Sequence, residues 1–397
     1  MKVIQINSVC GKGSTGKIAV DIYNHLINKG DECLIAFGRG TAPENVNSFR
    51  FNTDFGVKLH GAVSRINDRQ GFLSTAATKK LTEKIISYNP DIIHLHNIHG
   101  YYLNVKVLFE FLAKYNKPVV WTLHDCWAFT GHCAYFSYAD CNRWIDGCYN
   151  CPLKKSYPAS IFLDNSKLNY SQKKILFNSI KNLHIVTPSH WLKNTVENSF
   201  LKENSVTTIY NGIDLNVFKP TESNIKSKLG IENKKMYLGV ANIWEKRKGL
   251  EDFIKLSYKL AEDEVIVLVG LDKSQIASLP KGIIGIERTE SVNELLCLYT
   301  AADVYINTSV EETMGLTTLE ALAAGTPAIV YNKTAVPEVV DESCGTVVEA
   351  GNIDSLYNAI SNINFKSEDC IKRSEFFEKD KQYTKYYNLY KSIISKF

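Results

Sequence analysis

Short apolar runs alternate with longer amphipathic stretches from the first residues onward. VIQINSV, CLIAFG, DIIHLH, PVVWTLHD and HIVTPS have the length and content of buried strands, and after the first of them apolar positions recur at helical spacing over about 17–28. Strand-like runs separated by helical stretches predict a parallel sheet with helices on both faces. A second series follows in MYLGVANI, EVIVLVG, GIIGI, DVYINTS and TPAIVY, with helices expected at about 249–260, 291–300 and 316–324. Between the series, NGIDLNVFKP combines an Asn-Gly turn signal with a proline stop. It is read as a linker, 211–220, between a first domain, 1–210, and a second, 221–375. The chain closes on a Tyr- and Lys-rich amphipathic stretch from about 369, and its last part, 376–397, is assigned to a helix packing back on the first domain. The fold class is α/β, with two doubly wound, Rossmann-like domains whose strand ends face a central cleft, where such sheets bind ligands.

Composition adds little to this picture. With 397 residues, 45% apolar and 22% charged, the chain is an ordinary globular sequence long enough for two cores. No stretch approaches the roughly 20 apolar residues of a spanning helix, and MKVIQINSV lacks the order of a signal peptide, so a cytoplasmic location is expected. Charge does change the picture. Residues 1–200 hold 23 Lys and Arg against 14 Asp and Glu, and residues 201–397 hold 23 against 28. A basic first half suits an anionic membrane surface or a phosphorylated acceptor, with Lys154, Lys155, Lys173 and Lys174 as contributors; an unevenly solvated surface is the alternative. No nucleic acid partner is expected.

The segment VEETMGLTTLEALAAGTPAIV sets Glu312 and Glu320 seven residues apart, with Gly315 between them. Glu312 falls on the loop before the helix and Glu320 about one turn inside it. The N–H groups at the start of that helix suit a diphosphate, and a carboxylate on either side can accept hydrogen bonds from sugar hydroxyls. No Asp-x-Asp triplet occurs in the chain.

These residues resemble the Glu-x7-Glu motif of the retaining glycosyltransferases of family four, which have the GT-B fold, and the resemblance extends over LYTAADVYINTSVEETMGLTTLEALAAGTPAIV. It implies that Glu312 contacts the donor sugar and Glu320 the ribose, while the backbone of Met314, Gly315, Leu316 and Thr317 cradles the diphosphate. Ser309 is a weaker candidate for the same pocket. GVANIWEKRKGLEDFI resembles the family segment with a Gly-Arg pair before a Lys-Gly pair. Lys248 takes the place of the phosphate-pairing lysine; Asn242 stands where the family has arginine, which leaves Arg247 to supply the missing charge. In VVWTLHDCW, His124 matches the histidine that reaches the donor sugar, with its carbonyl near the anomeric centre. Of His94, His96 and His99, the last is favoured as an acceptor-side contact.

The loop GKGSTGKI imitates a nucleotide-triphosphatase P-loop in Gly11, Gly16 and Lys17, but Ile18 replaces the Ser or Thr that would hold magnesium. The resemblance assigns it to the first glycine-rich loop of the fold, where Gly13 and Gly16 let the backbone approach donor phosphate or acceptor. No catalytic cofactor is expected, and the missing Asp-x-Asp triplet fits a metal-independent donor site.

Ten cysteines without a secretion signal point to thiols or a metal. Within a Cys-rich insertion, 126–152, Cys133, Cys141, Cys148 and Cys151 include a Cys-x2-Cys pair suited to one structural zinc ion. His132 is an alternative ligand, and disulfides or plain thiols are alternative states.

The resemblance is closest to bacterial exopolysaccharide and capsule enzymes of the colanic-acid type. It implies transfer of a hexose from a nucleotide-diphosphate sugar to a saccharide acceptor, read as a lipid-linked oligosaccharide at the inner face of the membrane, where the protein would be peripheral. A GT-B nucleotide-sugar 2-epimerase and a non-catalytic carbohydrate-binding partner of a biosynthetic complex are the competing readings.

Overall fold

The computed structural model describes residues 1–397, which form two compact units, Met1–Tyr210 with Gln382–Phe397, and Asn211–Lys381. The first unit carries β1 (Lys2–Asn7), β2 (Glu32–Phe37), β3 (Ser48–Arg50), β4 (Ile92–Leu95), β5 (Val119–Thr122), β6 (Leu183–Thr187) and β7 (Ser205–Thr208) in the order β3-β2-β1-β4-β5-β6-β7. The second carries β8 (Lys235–Val240), β9 (Glu264–Val269), β10 (Ile283–Ile286), β11 (Val304–Asn307), β12 (Ala328–Tyr331) and β13 (Gly345–Val348) in the order β10-β9-β8-β11-β12-β13. All strand pairs are parallel. Strand order reverses between β1 and β4 in one sheet and between β8 and β11 in the other. The crevice outside the carboxyl ends of such a strand pair is where a doubly wound sheet takes its ligand.

Each apolar run became a strand. The three strands that the pattern did not announce, β3, β7 and β13, all lie at sheet edges, where one neighbour and partial exposure demand no continuous apolar run. The first helix spans Gly13–Asn28, earlier than the apolar periodicity places it, because its opening turn GSTG carries no core-facing side chain.

The final stretch is broken rather than continuous. Ser367–Ser374 and Lys379–Lys396 are separate helices joined by a tight turn at Glu375–Phe377. The first stays with the second unit, where Arg373 donates to the carbonyls of Val339 and Glu338 at 3.0 and 2.7 Å. From Gln382 the chain returns to the first unit, and Tyr383, Tyr386, Tyr390 and Ile393 are buried there with Val3, Ile92 and Val120. At the other crossing Gly212 makes a close approach rather than a turn: a Cβ on it would stand 2.5 Å from the Lys379 Cα, and Ile213 and Lys379 are joined through backbone hydrogen bonds. No helix is long and apolar enough to cross a membrane.

Candidate active site

In the second unit, the loops after β8 and β11 are stitched together although 64 residues separate their key side chains. The Val310 N–H donates to the Arg247 carbonyl at 2.9 Å, and the Thr308 hydroxyl to the Lys248 carbonyl at 2.8 Å. Gly249 sits at φ +74 so close to Thr308 that a Cβ would meet its carbonyl oxygen at 2.5 Å. This backbone junction brings the Lys248 ammonium onto the Glu312 carboxylate, which also accepts from the Ser309 hydroxyl at 3.2 Å. The Glu312 N–H is bound by Thr334 Oγ1 at 3.0 Å, and Arg247 donates to the Glu311 carbonyl at 3.1 Å. Burial opposes ionisation of Glu312, but the charges of Lys248 and Arg247 and the two hydrogen bonds outweigh it and hold the carboxyl below its ordinary range.

The helix Leu316–Ala323 starts beside this pair. Gly315 caps it at φ +98, a left-handed conformation that glycine adopts without strain, and no side chain closes the end. Met314 is buried, and its sulfur accepts the Asn211 N–H, which leaves its backbone rather than its side chain for a ligand. Thr317 accepts from the buried Tyr305 hydroxyl at 2.7 Å, and Glu320 from the Tyr299 hydroxyl at 2.8 Å, so both are oriented from below by tyrosines of the core. Asn242 is exposed on the loop after β8, outside the hydrogen-bonded group of Lys248, Glu312 and Ser309.

In the first unit, His124 lies two residues beyond β5, in a recess that His96, His99, Asp125 and Trp127 also line. Its Nε2 is 3.1 Å from His96 Nδ1, with the rings stacked. Beneath them, Gln5 donates through Nε2 to the Ala19 carbonyl at 2.9 Å, which turns its Oε1 toward His96 Nε2, also at 2.9 Å. An amide oxygen only accepts. His96 therefore carries its proton on Nε2 and accepts on Nδ1, and His124 carries its own on Nε2. Burial keeps the pair neutral: the His96 imidazole falls well below its ordinary value, and that of His124 drops from 6.5 to about 4. His94, its ring tilted against that of His96 with the centroids 4.0 Å apart, is held by Tyr390 at 2.7 Å and Thr122 at 2.8 Å, and Thr122 meets Tyr386 at 3.0 Å.

His99 is buried against Asp125 at 2.7 Å and Tyr157 at 3.2 Å. Asp125, Gln5, Tyr386 and Tyr390 carry no motif. Asp125 was legible only as the neighbour of His124, and His96, just beyond β4, only as one of three closely spaced histidines of which His99 was favoured.

Gly13 opens the first helix and is exposed. Gly16 is buried beneath Gly11 and Val9, each 3.1 Å from where its Cβ would be, and its carbonyl accepts the Gly11 N–H. Its lack of a side chain lets the loop fold onto the helix. Lys173, expected at a membrane surface, is buried, with its ammonium on the Trp127 ring and bonded to the Trp127 and Thr130 carbonyls. It cannot touch a bilayer.

Cys133, Cys141, Cys148 and Cys151 line one cavity with His132 and Arg143, and no disulfide joins any of the ten cysteines. Cys133 and Cys151 are hydrogen-bonded, and the Gly131 N–H donates to the Cys148 sulfur at 3.1 Å. No three His, Cys, Asp or Glu side chains are so grouped that they would hold a metal ion without moving. His132 bonds Asp68 through Nδ1; its Nε2 makes no well-formed hydrogen bond, although the Ser156 carbonyl is near.

The Escherichia coli K12 protein WcaC, which carries the description colanic acid biosynthesis glycosyl transferase, is 26% identical over 229 residues, covering 54% of this chain and 55% of that protein. The chain spans about half the length of the curated relatives it matches. Among solved structures, sucrose-phosphate synthase from Thermosynechococcus elongatus aligns at a TM-score of 0.72 with 15% identity over 100% of both chains. Anabaena HepE in complex with UDP and glucose aligns at 0.67, also with 15% identity, over 99% of this chain and 100% of that one. Both support the GT-B fold. The profile described as Glycosyl transferases group 1 matches residues 234–364 and that described as Glycosyltransferase Family 4 matches residues 15–217, and with half of its length inside the latter the chain belongs to glycosyltransferase family 4.

Proposed function

We propose that this chain moves a hexose from a nucleoside-diphosphate sugar to a saccharide acceptor with retention of anomeric configuration. The acceptor is a lipid-linked oligosaccharide of bacterial surface polysaccharide, met at the inner face of the membrane. The observation that carries the reading is the Lys248–Glu312 pair beside the open start of the helix Leu316–Ala323. A departing diphosphate gains negative charge as the glycosidic bond to the nucleotide breaks. Lys248, Arg247 and the N–H groups at the helix start are the donors that would stabilise it, while Glu312 accepts from sugar hydroxyls and Glu320 from the ribose. His124, neutral and with its proton fixed on Nε2, supplies hydrogen bonding without charge to the transferred sugar, and His99 contacts the acceptor side. The colanic acid description of WcaC and the UDP and glucose in HepE support the choice of pathway and donor class.

A thermal-shift screen across nucleotide-sugars identifies the donor, since a true ligand raises the unfolding temperature by mass action. Proton NMR of the product formed with a saccharide acceptor then reads the anomeric configuration. An inverted product removes the retaining assignment. An epimerised donor in the absence of acceptor establishes the 2-epimerase instead, and binding without turnover of any donor establishes a non-catalytic partner.

The four cavity thiols are proposed as a structural zinc site, which requires the partly exposed Cys141 and Cys151 to rotate toward Cys133 and Cys148. Their common cavity, the Cys-x2-Cys pair and the backbone donor on Cys148 support it. Elemental analysis of protein made with zinc present is expected to find one ion per chain. Less than roughly a tenth of an equivalent, with all four thiols titratable in the folded protein, eliminates the site.

A further inference from the structure

The helix Asp54–Asn67 in the first unit is turned inside out. An amphipathic helix on a globular protein ordinarily hides its apolar stripe and shows its polar one. This helix buries His60 and Ser64, the former bonded to Ser74 at 2.8 Å, and leaves Phe55, Leu59 and Ile66 in solvent. Those three positions are spaced by four and seven residues, one face of a helix, with the exposed Ala62 between the last two.

A second segment extends this face. The last carbonyls of the helix, which lack intrahelical partners, accept N–H groups from a later loop: Ile161 donates to Arg65 at 2.7 Å and Leu163 to Ile66 at 3.1 Å. The loop thereby adds Ile161, Phe162 and Leu163 beside the end of the stripe. All six large apolar side chains are between 53% and 75% exposed. Single exposed apolar residues are commonplace on protein surfaces; six on one helix and the loop bonded to it are not.

The charges around this face are mainly basic. Lys58 and Arg65 are exposed on the helix, and Lys154 donates to the Phe162 carbonyl at 3.1 Å with the exposed Lys155 beside it in sequence. The one acid on the helix before Asn67, Asp54, is paired with Arg50. Apolar side chains that insert into the acyl boundary, rimmed by cations that meet lipid phosphates, are the chemistry of an in-plane interfacial helix.

We propose that the Asp54–Asn67 helix and the Ile161–Leu163 loop together form a docking face for an anionic lipid bilayer. Phe55, Leu59 and Phe162 enter the interface, and Lys58, Arg65 and Lys154 hold the headgroups. The inference deepens the functional reading above by naming where the chain meets the membrane of its acceptor, and rests on it only in that respect.

Flotation of the full chain with vesicles of phosphatidylcholine, with and without phosphatidylglycerol, tests it without any substrate, so failure here leaves the transfer reaction untouched. The chain is expected to float with the phosphatidylglycerol vesicles. Phe55→Ser with Phe162→Ser should weaken partitioning by roughly tenfold or more at every salt concentration, since buried apolar area sets that part of the affinity. Lys58→Glu with Arg65→Glu should weaken it at low salt and progressively less as salt rises. Both positions pairs are exposed, and an unchanged melting temperature verifies the fold. Failure of the wild-type chain to float overturns the proposal, as does floating that is indifferent to Phe55 and Phe162. A dimer that Phe55→Ser dissociates, with no lipid binding, assigns the face to a second copy of the chain and equally overturns it.

Discussion

Beyond β8 and β11 the full charges of Lys248 and Glu312 face each other, whereas beyond β4 and β5 the histidines His96 and His124 are stacked and held neutral by burial. The charged pair follows the two strands between which its sheet reverses order, and the histidine pair follows β4, at the reversal of its own sheet, and the adjacent β5, so the contrast is hardly one of fold position. It is one of electrical preparation. An ion pair whose members keep 15% and 17% side-chain exposure can exchange one partner for an incoming phosphate, because the ammonium loses a carboxylate and gains an anion of the same sign. Neutral imidazoles whose protons are fixed by Gln5 carry no charge to attract a phosphate, which suits hydrogen bonding to sugar hydroxyls. The difference sets a charged site in the second unit against a neutral one in the first.

Acid should separate the two regions most strongly. His94 and His124 fall from 6.5 to about 3 and about 4 through burial, so the unfolded chain takes up their protons near 6.5 and the folded chain does not. Their contribution to stability is complete above about 6.5 and is lost as pH falls, toward about 4 for His124 and about 3 for His94, by up to about 1.4 kcal/mol per pH unit for each histidine. Glu312 is also depressed, but from 4.5, so its contribution is intact above that value and is lost only below it. Hydrogen exchange at pH 7, 6 and 5 is expected to show protection falling around β4 and β5 while β8 and β11 hold; parallel loss in both would erase the distinction.

The next largest effect concerns the charged side. Lys248→Ala should lower kcat by roughly 10²–10³-fold with the fold intact, as for other losses of a group that meets developing negative charge. Near-normal turnover with the identified donor would remove Lys248 from the site.

The smallest effect probes the neutral side. Tyr390→Phe takes the hydroxyl from His94 Nδ1 and leaves a buried nitrogen without its partner, at about 1–3 kcal/mol of stability. Chemical denaturation reads that loss. Nucleotide-sugar affinity should not change, and a parallel loss of affinity would couple the regions that the electrostatics divide.

Much of this was legible in the chain. Apolar runs such as DIIHLH and EVIVLVG announce central strands because strands buried on both faces need unbroken apolar sequence, and the spacing of Glu312 and Glu320 survives as loop and helix geometry. What escaped depends on contacts between distant residues. Gln5 lies on β1, 91 positions before His96, and nothing in VIQINSV marks its amide as the group that orients an imidazole. Lys173 read as a surface cation, since neither its neighbours in sequence nor its charge announces a seat on the Trp127 ring. Gly16 and Gly212 were recognisable as glycines with a task, but the partner each makes room for is set by tertiary structure.

The return of residues 382–397 to the first unit has a consequence for how the protein is made. Topologically the second unit is an insert, entered and left through adjacent backbone at Ile213 and Glu378. During synthesis the first sheet emerges from the ribosome long before Tyr383, Tyr386 and Tyr390 exist, so the face over Val3, Ile92 and Val120 stays wet, and His94 and Thr122 lack their tyrosine partners, until the insert has been translated. The first unit begun is therefore the last one completed.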